Sequence, residues 1–391
     1  MKNSFNFQIN TNVISGYNVI DSIYNFLIEK SFKNVLIVAD KQLIKNSKYI
    51  KKYLKKIKNK KIIKGFHYFS GASEPTYQDL DYTIKKLGEK KKLNLDCLIG
   101  IGGGSTIDFT KGIATLLKNK GKALNYRGFP QKIKRSIPVI AVPSTTGTGA
   151  EVAYNAVFTD LKSKKKLGIN TKNNYPILSI LDPRVTANAP KKVILNSSLG
   201  ALIRSIDTMF NKKASKISRI LSEKSFQLLY KNLPKVLRNN NNLEYWSEMQ
   251  WGSYFSVVAL LNSSSGPAAN LSYYLSSNYS VPQGLGYGIS GICFFKRNHE
   301  KRFYEYYKLF DLVNKNQKKI SKKDKNLIIL NSIENIFKAN KIKIKNTYIP
   351  YTKKNNFFES LSKKYDISES NNPLKLKKKN PKIVVDKIFN I

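Results

Sequence analysis

The sequence predicts an α/β fold in which a parallel-sheet domain, residues 1–190, is followed by an all-helical domain, residues 191–391. Two observations support this prediction. Up to about residue 190, short apolar runs alternate with longer amphipathic ones, as strands and helices do in parallel sheets. Beyond that point, apolar residues recur at three-and-four spacing over long stretches, which is typical of helices.

In the first domain, residues 1–7 alternate polar and apolar side chains and predict a first strand. Apolar or alternating runs predict further strands at residues 34–40, 95–101, 137–142, 164–169 and 177–181. The run at 164–169 is expected to be the return arm of a hairpin. Helices are predicted after Lys41 and from about Thr76 onward.

In the second domain, long helices are predicted at residues 191–211, 217–236 and 245–261. Residues 266–291 are rich in Gly, Ser, Tyr and Asn and have no clear periodicity. Such a composition predicts a long loop, and long loops often line a functional site.

The composition favours a globular cytoplasmic protein. No run approaches the roughly 18–20 consecutive apolar residues of a membrane span. The first residues lack the continuous apolar segment of a secretory signal. The two cysteines, Cys97 and Cys293, stand in apolar runs, so we expect them to fill cores rather than to form disulfides or bind metal.

The formal net charge of +44 favours, taken alone, nucleic acid or an anionic surface as a partner. The lysines, however, are spread along most of the chain and accompany abundant Asn and Ile. A solvated basic surface is therefore the favoured interpretation, and non-specific binding to polyanions is the alternative. We expect no specific nucleic acid and no membrane as partner.

The strongest local motif is Gly102-Gly103-Gly104-Ser105, which follows a predicted buried strand and opens a predicted helix. Glycines let the backbone approach a phosphate, and the amides and dipole at a helix N-terminus attract its charge. The motif therefore predicts a pyrophosphate site. A tight strand-to-helix turn without a ligand is the alternative.

A second motif, residues 143–151, also follows a strand, and its Thr145 and Thr146 hydroxyls are suited to bind phosphate or ribose. Ligands bind at the carboxyl ends of parallel strands, so we expect the two motifs to face one crevice. Asp40, at the end of another strand, is suited to bind adenosine ribose and to favour NAD over NADP. A helix N-cap is the alternative role for Asp40.

These motifs, with Asp108, Lys111 and Leu181-Asp182-Pro183, resemble the iron-containing (group III) alcohol dehydrogenase family over residues 10–300. The resemblance implies the dehydroquinate synthase-like fold of that family, in which a nicotinamide and a divalent metal meet in a cleft between two domains. It implies a small-molecule alcohol or aldehyde as substrate and allows a homodimer. The cofactor-binding residues it implies are Asp40, Gly102, Gly103, Gly104, Ser105, Asp108, Thr145, Thr146 and Lys166.

The resemblance fails at the metal ligands, which in the family are an aspartate and three histidines. Gly200 stands in place of the aspartate, and Arg204 in place of the first histidine. By register, Ala269 and Gln283 take the two remaining ligand positions, and Tyr273 takes that of a histidine near the nicotinamide. His67 and His299, the chain's two histidines, lie outside these segments. We therefore expect no bound metal.

Two interpretations of the altered site remain open. In the first, the protein is a metal-free dehydrogenase for a polar, sugar-like or anionic substrate. Its catalytic residues are then Arg204, which stabilises negative charge, Tyr273 as acid/base, and Gln283. In the second, the protein is a catalytically inactive relative that still binds the dinucleotide.

Overall fold

The computed structural model describes residues 5–70, 74–89, 94–163, 165–187, 189–239, 241–314, 319–342, 347–349, 355–357, 359, 371–374 and 386–388. The chain divides into two compact units. The sheet unit comprises Ile9–Ile194 and Asn239–Gln250. The helical unit comprises Met1–Gln8, Leu195–Arg238 and Trp251–Ile391. The domain boundary expected at residue 190 stays a prediction.

The sheet unit contains six parallel strands in the order β1-β8-β5-β4-β2-β3, which confirms the predicted parallel sheet. A separate antiparallel hairpin joins β6 to β7. The strands are β1 Asn12–Ser15, β2 Val35–Asp40, β3 Ile63–Phe69, β4 Cys97–Gly102, β5 Val139–Pro143, β6 Asn155–Asp160, β7 Lys165–Asn170 and β8 Leu178–Leu181.

A strand was predicted at residues 1–7. Residues 5–7 form no strand, so the prediction is wrong there, and residues 1–4 lie outside the described part of the chain. The first strand begins at Asn12 because that segment pairs with β8. Partner strands, and not alternation alone, decide which segment joins a sheet.

The central strands are mostly apolar because both faces of the sheet are covered. In β2, Val35, Ile37 and Ala39 enter one apolar core, while Leu36 and Val38 enter another on the opposite face. Cys97 and Cys293 are each fully buried, as expected of core residues. The helices of this unit are α1 Ser22–Glu29, α2 Lys41–Asn46, α3 Lys48–Lys58, α4 Tyr77–Glu89, α5 Gly104–Leu116 and α6 Pro183–Thr186.

The strand order reverses between β2 and β4. The chain leaves β2 for β3 on one side, and it continues from β4 to β5 on the other side. Such a reversal opens a crevice at the carboxyl ends of the two strands, where ligands bind in open parallel sheets. Asp40 ends β2 and Gly102 ends β4, so both lie at this crevice.

From Lys191 onward, the regular elements of the described residues are all α-helices, as predicted. None of these helices, nor any other in the described residues, has the length and apolar character needed to cross a membrane. They are α7 Lys191–Met209, α8 Lys216–Arg238, α9 Leu243–Leu261, α10 Pro267–Tyr279, α11 Gln283–Glu300, α12 Tyr307–Val313 and α13 Lys322–Ala339.

The long loop predicted at residues 266–291 is wrong, because this segment forms α10 and the first half of α11. Its glycines serve close helix packing. A Cβ atom on Gly284 would lie 1.9 Å from the Asn196 carbonyl oxygen, and one on Gly291 would lie 2.0 Å from Ile203 Cγ2. Helix α11 can therefore pack against α7 only if these positions lack side chains.

Candidate functional site

The predicted glycine motif lies where β4 passes directly into α5. Gly102 ends the strand, and Gly103 precedes the helix in an extended conformation, with no side chain to cap it. The first amides bonded to Gly103 are those of Thr106 and Ile107, at 3.0 and 3.1 Å from its carbonyl oxygen. The amides of residues 104 and 105 thus point out of the helix, where they and the helix dipole attract an anion.

The second motif packs directly on the first. The Ser144 amide donates to the Gly102 carbonyl at 2.9 Å. A Cβ atom on Gly104 would lie 2.5 Å from the Thr148 hydroxyl oxygen, so only glycine allows this approach. The structure therefore brings the two predicted loops together at the carboxyl edge of the sheet.

Hydroxyl groups surround this junction. Thr106 Oγ1 and Thr145 Oγ1 are buried and have no hydrogen-bond partner among the described residues. Thr146 is buried, and Ser105 is half-buried. Buried polar atoms normally have partners, so unpartnered hydroxyls beside a helix N-terminus suit a ligand with phosphate or sugar oxygens. These residues fit a dinucleotide.

Asp40 lies beside the glycine motif and also caps a helix. A Cβ atom on Gly102 would lie 2.9 Å from Asp40 Cβ and 2.6 Å from Thr106 Oγ1. One Asp40 oxygen, Oδ1, accepts the amides of Gln42 and Leu43 at 2.7 and 3.2 Å, and burial raises the pKa of the carboxyl group. The N-cap role is confirmed, and ribose binding stays a prediction.

Asp108 and Lys111 fasten α5 to β6. Lys111 Nζ lies 3.5 Å from Asp108 Oδ1 and donates to the carbonyls of Ala153 and Asn155 at 2.7 and 3.0 Å. The Val157 amide donates to Asp108 Oδ2 at 3.1 Å. Burial raises the pKa of Asp108 and lowers that of Lys111. These contacts explain both residues structurally, and a cofactor contact of Asp108 stays a prediction.

Lys166 forms an ion pair with Glu74, a residue that the sequence did not single out. The Lys166 side chain is 4% exposed, and burial lowers its pKa while Glu74 opposes that shift. The Thr159 amide donates to the Pro75 carbonyl at 3.0 Å, which holds the segment next to Glu74 beside the hairpin. Since Glu74 lies far from the hairpin in sequence, no local pattern indicates this pair.

In the helical unit, four side chains form a polar cluster: Arg204, Asp207, Ser256 and Tyr287. Arg204 is 9% exposed, donates from Nη1 to Ser256 Oγ at 3.2 Å, and lies 5.8 Å from the Tyr287 ring centre. Tyr287 Oη donates to Asp207 Oδ2 at 2.9 Å. The predicted Arg204 thus lies in a buried polar environment.

The cluster strongly shifts the acidity of its members. Burial raises the pKa of Asp207 to about 7, although bonds from Tyr287 and the Gly266 amide and the charge of Arg204 oppose the shift. Burial also raises the pKa of Tyr287 well above its usual value. Strong shifts of this kind concentrate at functional sites, although structural networks produce them too.

Sequence reasoning gave no role to three members of the cluster: Asp207, Ser256 and Tyr287. One signal was available, because Arg204 and Asp207 are three residues apart and therefore share a face of α7. Ser256 and Tyr287 come from other helices, α9 and α11, and only the tertiary packing brings them in.

The other predicted catalytic residues lie on two helices next to this cluster. Tyr273, on α10, is half-buried and close enough to Tyr287 to raise its pKa further. Gln283 begins α11 directly after Pro282 and is half-buried. It precedes Tyr287 by four residues, so the two side chains share one face of the helix.

The residues at the four ligand positions do not fit a divalent metal. Gly200 and Ala269 carry no donor atom, and Arg204 is a fixed cation. Gln283 offers one neutral amide oxygen. Within the described ranges, no group of three or more His, Cys, Asp or Glu side chains is placed to hold a metal ion.

Known families and proteins resemble this chain. A model of the family "Iron-containing alcohol dehydrogenase" matches residues 10–183, and one of the "Fe-containing alcohol dehydrogenase family, C-terminal" matches residues 194–362. Alcohol dehydrogenase 4 of Schizosaccharomyces pombe is 30% identical over 65% of this chain and 59% of its own. NAD-dependent methanol dehydrogenase of Bacillus methanolicus is 29% identical over 50% of this chain and 51% of its own. The chain thus matches only 51% to 59% of these relatives' length.

Solved structures share the fold. A 1,3-propanediol oxidoreductase has a TM-score of 0.85 at 20% identity and covers 98% of this chain and 99% of its own. A sulfoacetaldehyde reductase from Bifidobacterium kashiwanohense, in complex with NAD+, has a TM-score of 0.83 at 17% identity and covers 98% of both chains. Because the two family models together account for most of residues 10–362, the protein belongs to the iron-containing alcohol dehydrogenase family.

Proposed function

We propose that the protein is an NAD-dependent oxidoreductase that interconverts an alcohol and an aldehyde or ketone without a metal. The observation that carries this proposal is the junction of the two loops, where α5 begins beside two unpartnered hydroxyls, Thr106 Oγ1 and Thr145 Oγ1. Relatives named as NAD-dependent support the choice of cofactor. A cytoplasmic location and a homodimer remain predictions.

The sheet unit would bind the dinucleotide. The amides at Gly104 and Ser105 bind the pyrophosphate, and one oxygen of Asp40 binds the adenosine ribose. Further contacts come from hydroxyl and charged side chains in the two loops and the hairpin: Thr145, Thr146, Asp108 and Lys166. The nicotinamide supplies the hydride acceptor or donor of the reaction.

The helical unit would bind the substrate. Arg204 stabilises negative charge on the substrate oxygen, or binds a carboxylate or phosphate of the substrate. Arginine keeps its proton near neutral pH, so another group exchanges the hydroxyl proton. Tyr273 takes that role, and Gln283 donates a hydrogen bond. A buried guanidinium favours a polar, sugar-like or anionic substrate over a small alcohol.

The first test is a binding titration of the protein with NADH, with and without EDTA. Binding is measured by the fluorescence of NADH. A panel of sugar alcohols, sugar acids and simple alcohols is then assayed at 340 nm, the usual NADH wavelength, and the metal content of protein purified without chelator is measured. We expect EDTA-insensitive binding and turnover on a polar substrate. Stoichiometric metal, or activity abolished by EDTA, would contradict the metal-free reaction.

An inactive dinucleotide-binding relative is the second candidate. The observation that favours it is that Arg204 is already engaged by Ser256 and the Tyr287 ring. NADH binding without turnover on the whole panel would support this candidate.

A further inference from the structure

Three helices meet at the carboxylate of Asp207. The residue itself belongs to α7. The Tyr287 hydroxyl of α11 donates to its carboxylate at 2.9 Å, and the Gly266 amide, directly before α10, lowers the pKa of the same carboxyl group. One buried side chain of α7 therefore contacts both α10 and α11.

In the contact with α10, a side chain of another helix, Asp207 of α7, caps the N-terminus. Gly266 is the N-cap position of α10 and has no side chain to accept the helix amides. A Cβ atom on Gly266 would lie 2.5 Å from Asp207 Oδ1, so the carboxylate rests directly against this glycine. An oxygen acceptor stabilises a helix N-terminus, and here Asp207 provides it across the helix interface.

Each linked helix carries one of the proposed catalytic residues. Arg204 precedes Asp207 on α7 by three residues, or about one turn. Tyr273 lies about two turns into α10, and Gln283 begins α11. A shift of any one helix would therefore move its catalytic residue relative to the other two.

We propose that Asp207 is a positioning residue that holds Arg204, Tyr273 and Gln283 in register for the reaction. The inference rests on the proposed function. Asp207 does not touch the substrate in this role. It joins the three helices through the Tyr287 hydrogen bond and the contact with Gly266, at a site whose residues do not fit a metal.

The physical effect of losing this link is large because the cluster is buried. Without the carboxylate, the Gly266 amide and the Tyr287 hydroxyl lose their acceptor inside the protein, where water does not replace it. A displacement of roughly 1 Å at a catalytic group is enough to cost about 10²-fold in rate.

The experiment compares three variants of the full chain by steady-state kinetics. Asp207→Ala removes the contacts with both helices and is expected to lower kcat by about 10²-fold with little change in NADH affinity. Tyr287→Phe removes only the bond to α11, and a smaller loss of kcat is expected. Asp207→Asn is expected to restore most of kcat, because its amide oxygen accepts from Gly266 and its amide nitrogen donates to the Tyr287 oxygen.

The matched control is Ser225→Ala. Ser225 Oγ donates to the Gly252 carbonyl at 2.6 Å, so this variant also removes a buried hydrogen bond between helices of the same unit. We expect its kcat to remain at the wild-type level. A loss equal to that of Asp207→Ala would overturn the inference, because general loosening of the unit would then explain both results.

Hydrogen exchange separates this inference from the proposed function. In Asp207→Ala, amides in the first turn of α10 are expected to exchange about tenfold faster than in the wild type. If the wild type turns over no substrate, the proposed function fails, and exchange alone decides whether Asp207 holds α10. Unchanged exchange, or wild-type kcat in Asp207→Ala, would overturn the inference. Should Asp207→Ala not fold, retained kcat in Asp207→Asn together with reduced kcat in Tyr287→Phe supports it, and any other pattern contradicts it.

Discussion

Gly200 of α7 and Gly284 of α11 approach backbone to backbone, since a Cβ atom on Gly200 would lie 2.9 Å from the Gly284 Cα atom. Gly200 stands where the resemblance to the family implies a ligating aspartate. Helices at this spacing leave no room for a carboxylate between them. Restoring the ligand type would therefore require the two helices to separate.

Substituting Gly200→Asp is accordingly expected to lower the free energy of unfolding by about 1–3 kcal/mol, because overpacking forces backbone shifts. Urea denaturation measures the change. Gly88→Ala is the matched control, since a Cβ atom there meets nothing within 4 Å and α4 gains a better helix former. If Gly200→Asp has the same free energy of unfolding as the wild type, α7 and α11 can separate at this contact without cost, and the prediction is wrong.

Gly102→Ala is expected to weaken NADH binding by at least about tenfold, because the new methyl group would displace Asp40 or Thr106 at the crevice. A fluorescence titration measures the dissociation constant. Gly65→Ala serves as the control, as its Cβ atom would meet only Leu36 Cδ1, at 3.6 Å. Equal affinities of the two variants would argue against a dinucleotide at this turn.

Arg204→Ala is expected to lower kcat by about 10²–10³-fold, the usual effect of losing a charge-stabilising donor. NADH affinity should stay the same, because the residue is assigned to the substrate. Steady-state kinetics and a binding titration provide the two values. The control is Arg302→Ala, which removes an exposed arginine of the same unit. A weaker NADH affinity in Arg204→Ala would contradict the assignment.

The raised pKa of Asp207 predicts a pH-dependent stability. Its folded pKa of about 7 exceeds the usual 3.8, so the folded state favours the protonated form. Stability from this group is greatest below pH 4 and is lost as pH rises to about 7, at about 1.4 kcal/mol per pH unit. Arg204, Tyr287 and Tyr306 are the ionisable groups that interact with it.

Asp207→Asn removes the titrating carboxyl group and so isolates its contribution to the free energy of unfolding. The difference in unfolding free energy between Asp207→Asn and the wild type should grow in favour of the variant from pH 4 to pH 7 and then level off. Urea denaturation at pH 5, 6, 7 and 8 measures it. A difference that stays constant over this range would show that the folded carboxyl group has an ordinary pKa.

The parallel sheet and the strand-to-helix turn at Gly102 could be predicted because their signals are local. A buried strand is a continuous apolar run, and three glycines before a helix have few structural alternatives. The loop at residues 266–291 was wrongly predicted for the opposite reason. Glycine opposes helix formation in isolation, but at Gly284 and Gly291 contact with α7 outweighs this tendency.

The contacts that organise the two candidate sites could not be predicted from the sequence. Glu74 meets Lys166, and Asp207 meets Gly266 and Tyr287, only after distant segments have folded together. Side chains of these types are common on protein surfaces, so their positions in the sequence carry no sign of burial. For Asp207, the sequence indicates that it shares a helix face with Arg204. It does not indicate the contacts with Gly266 and Tyr287.

The burial of both thiols, Cys97 and Cys293, has a practical consequence. The thiolate is the form that attacks thiol reagents, and burial raises the pKa of both groups far above neutrality, so the native protein should resist such reagents. A single cysteine introduced at the exposed Asn278 would then carry a fluorophore alone. Placed near the end of α10, that label would report directly on the motion of the helix that bears Tyr273.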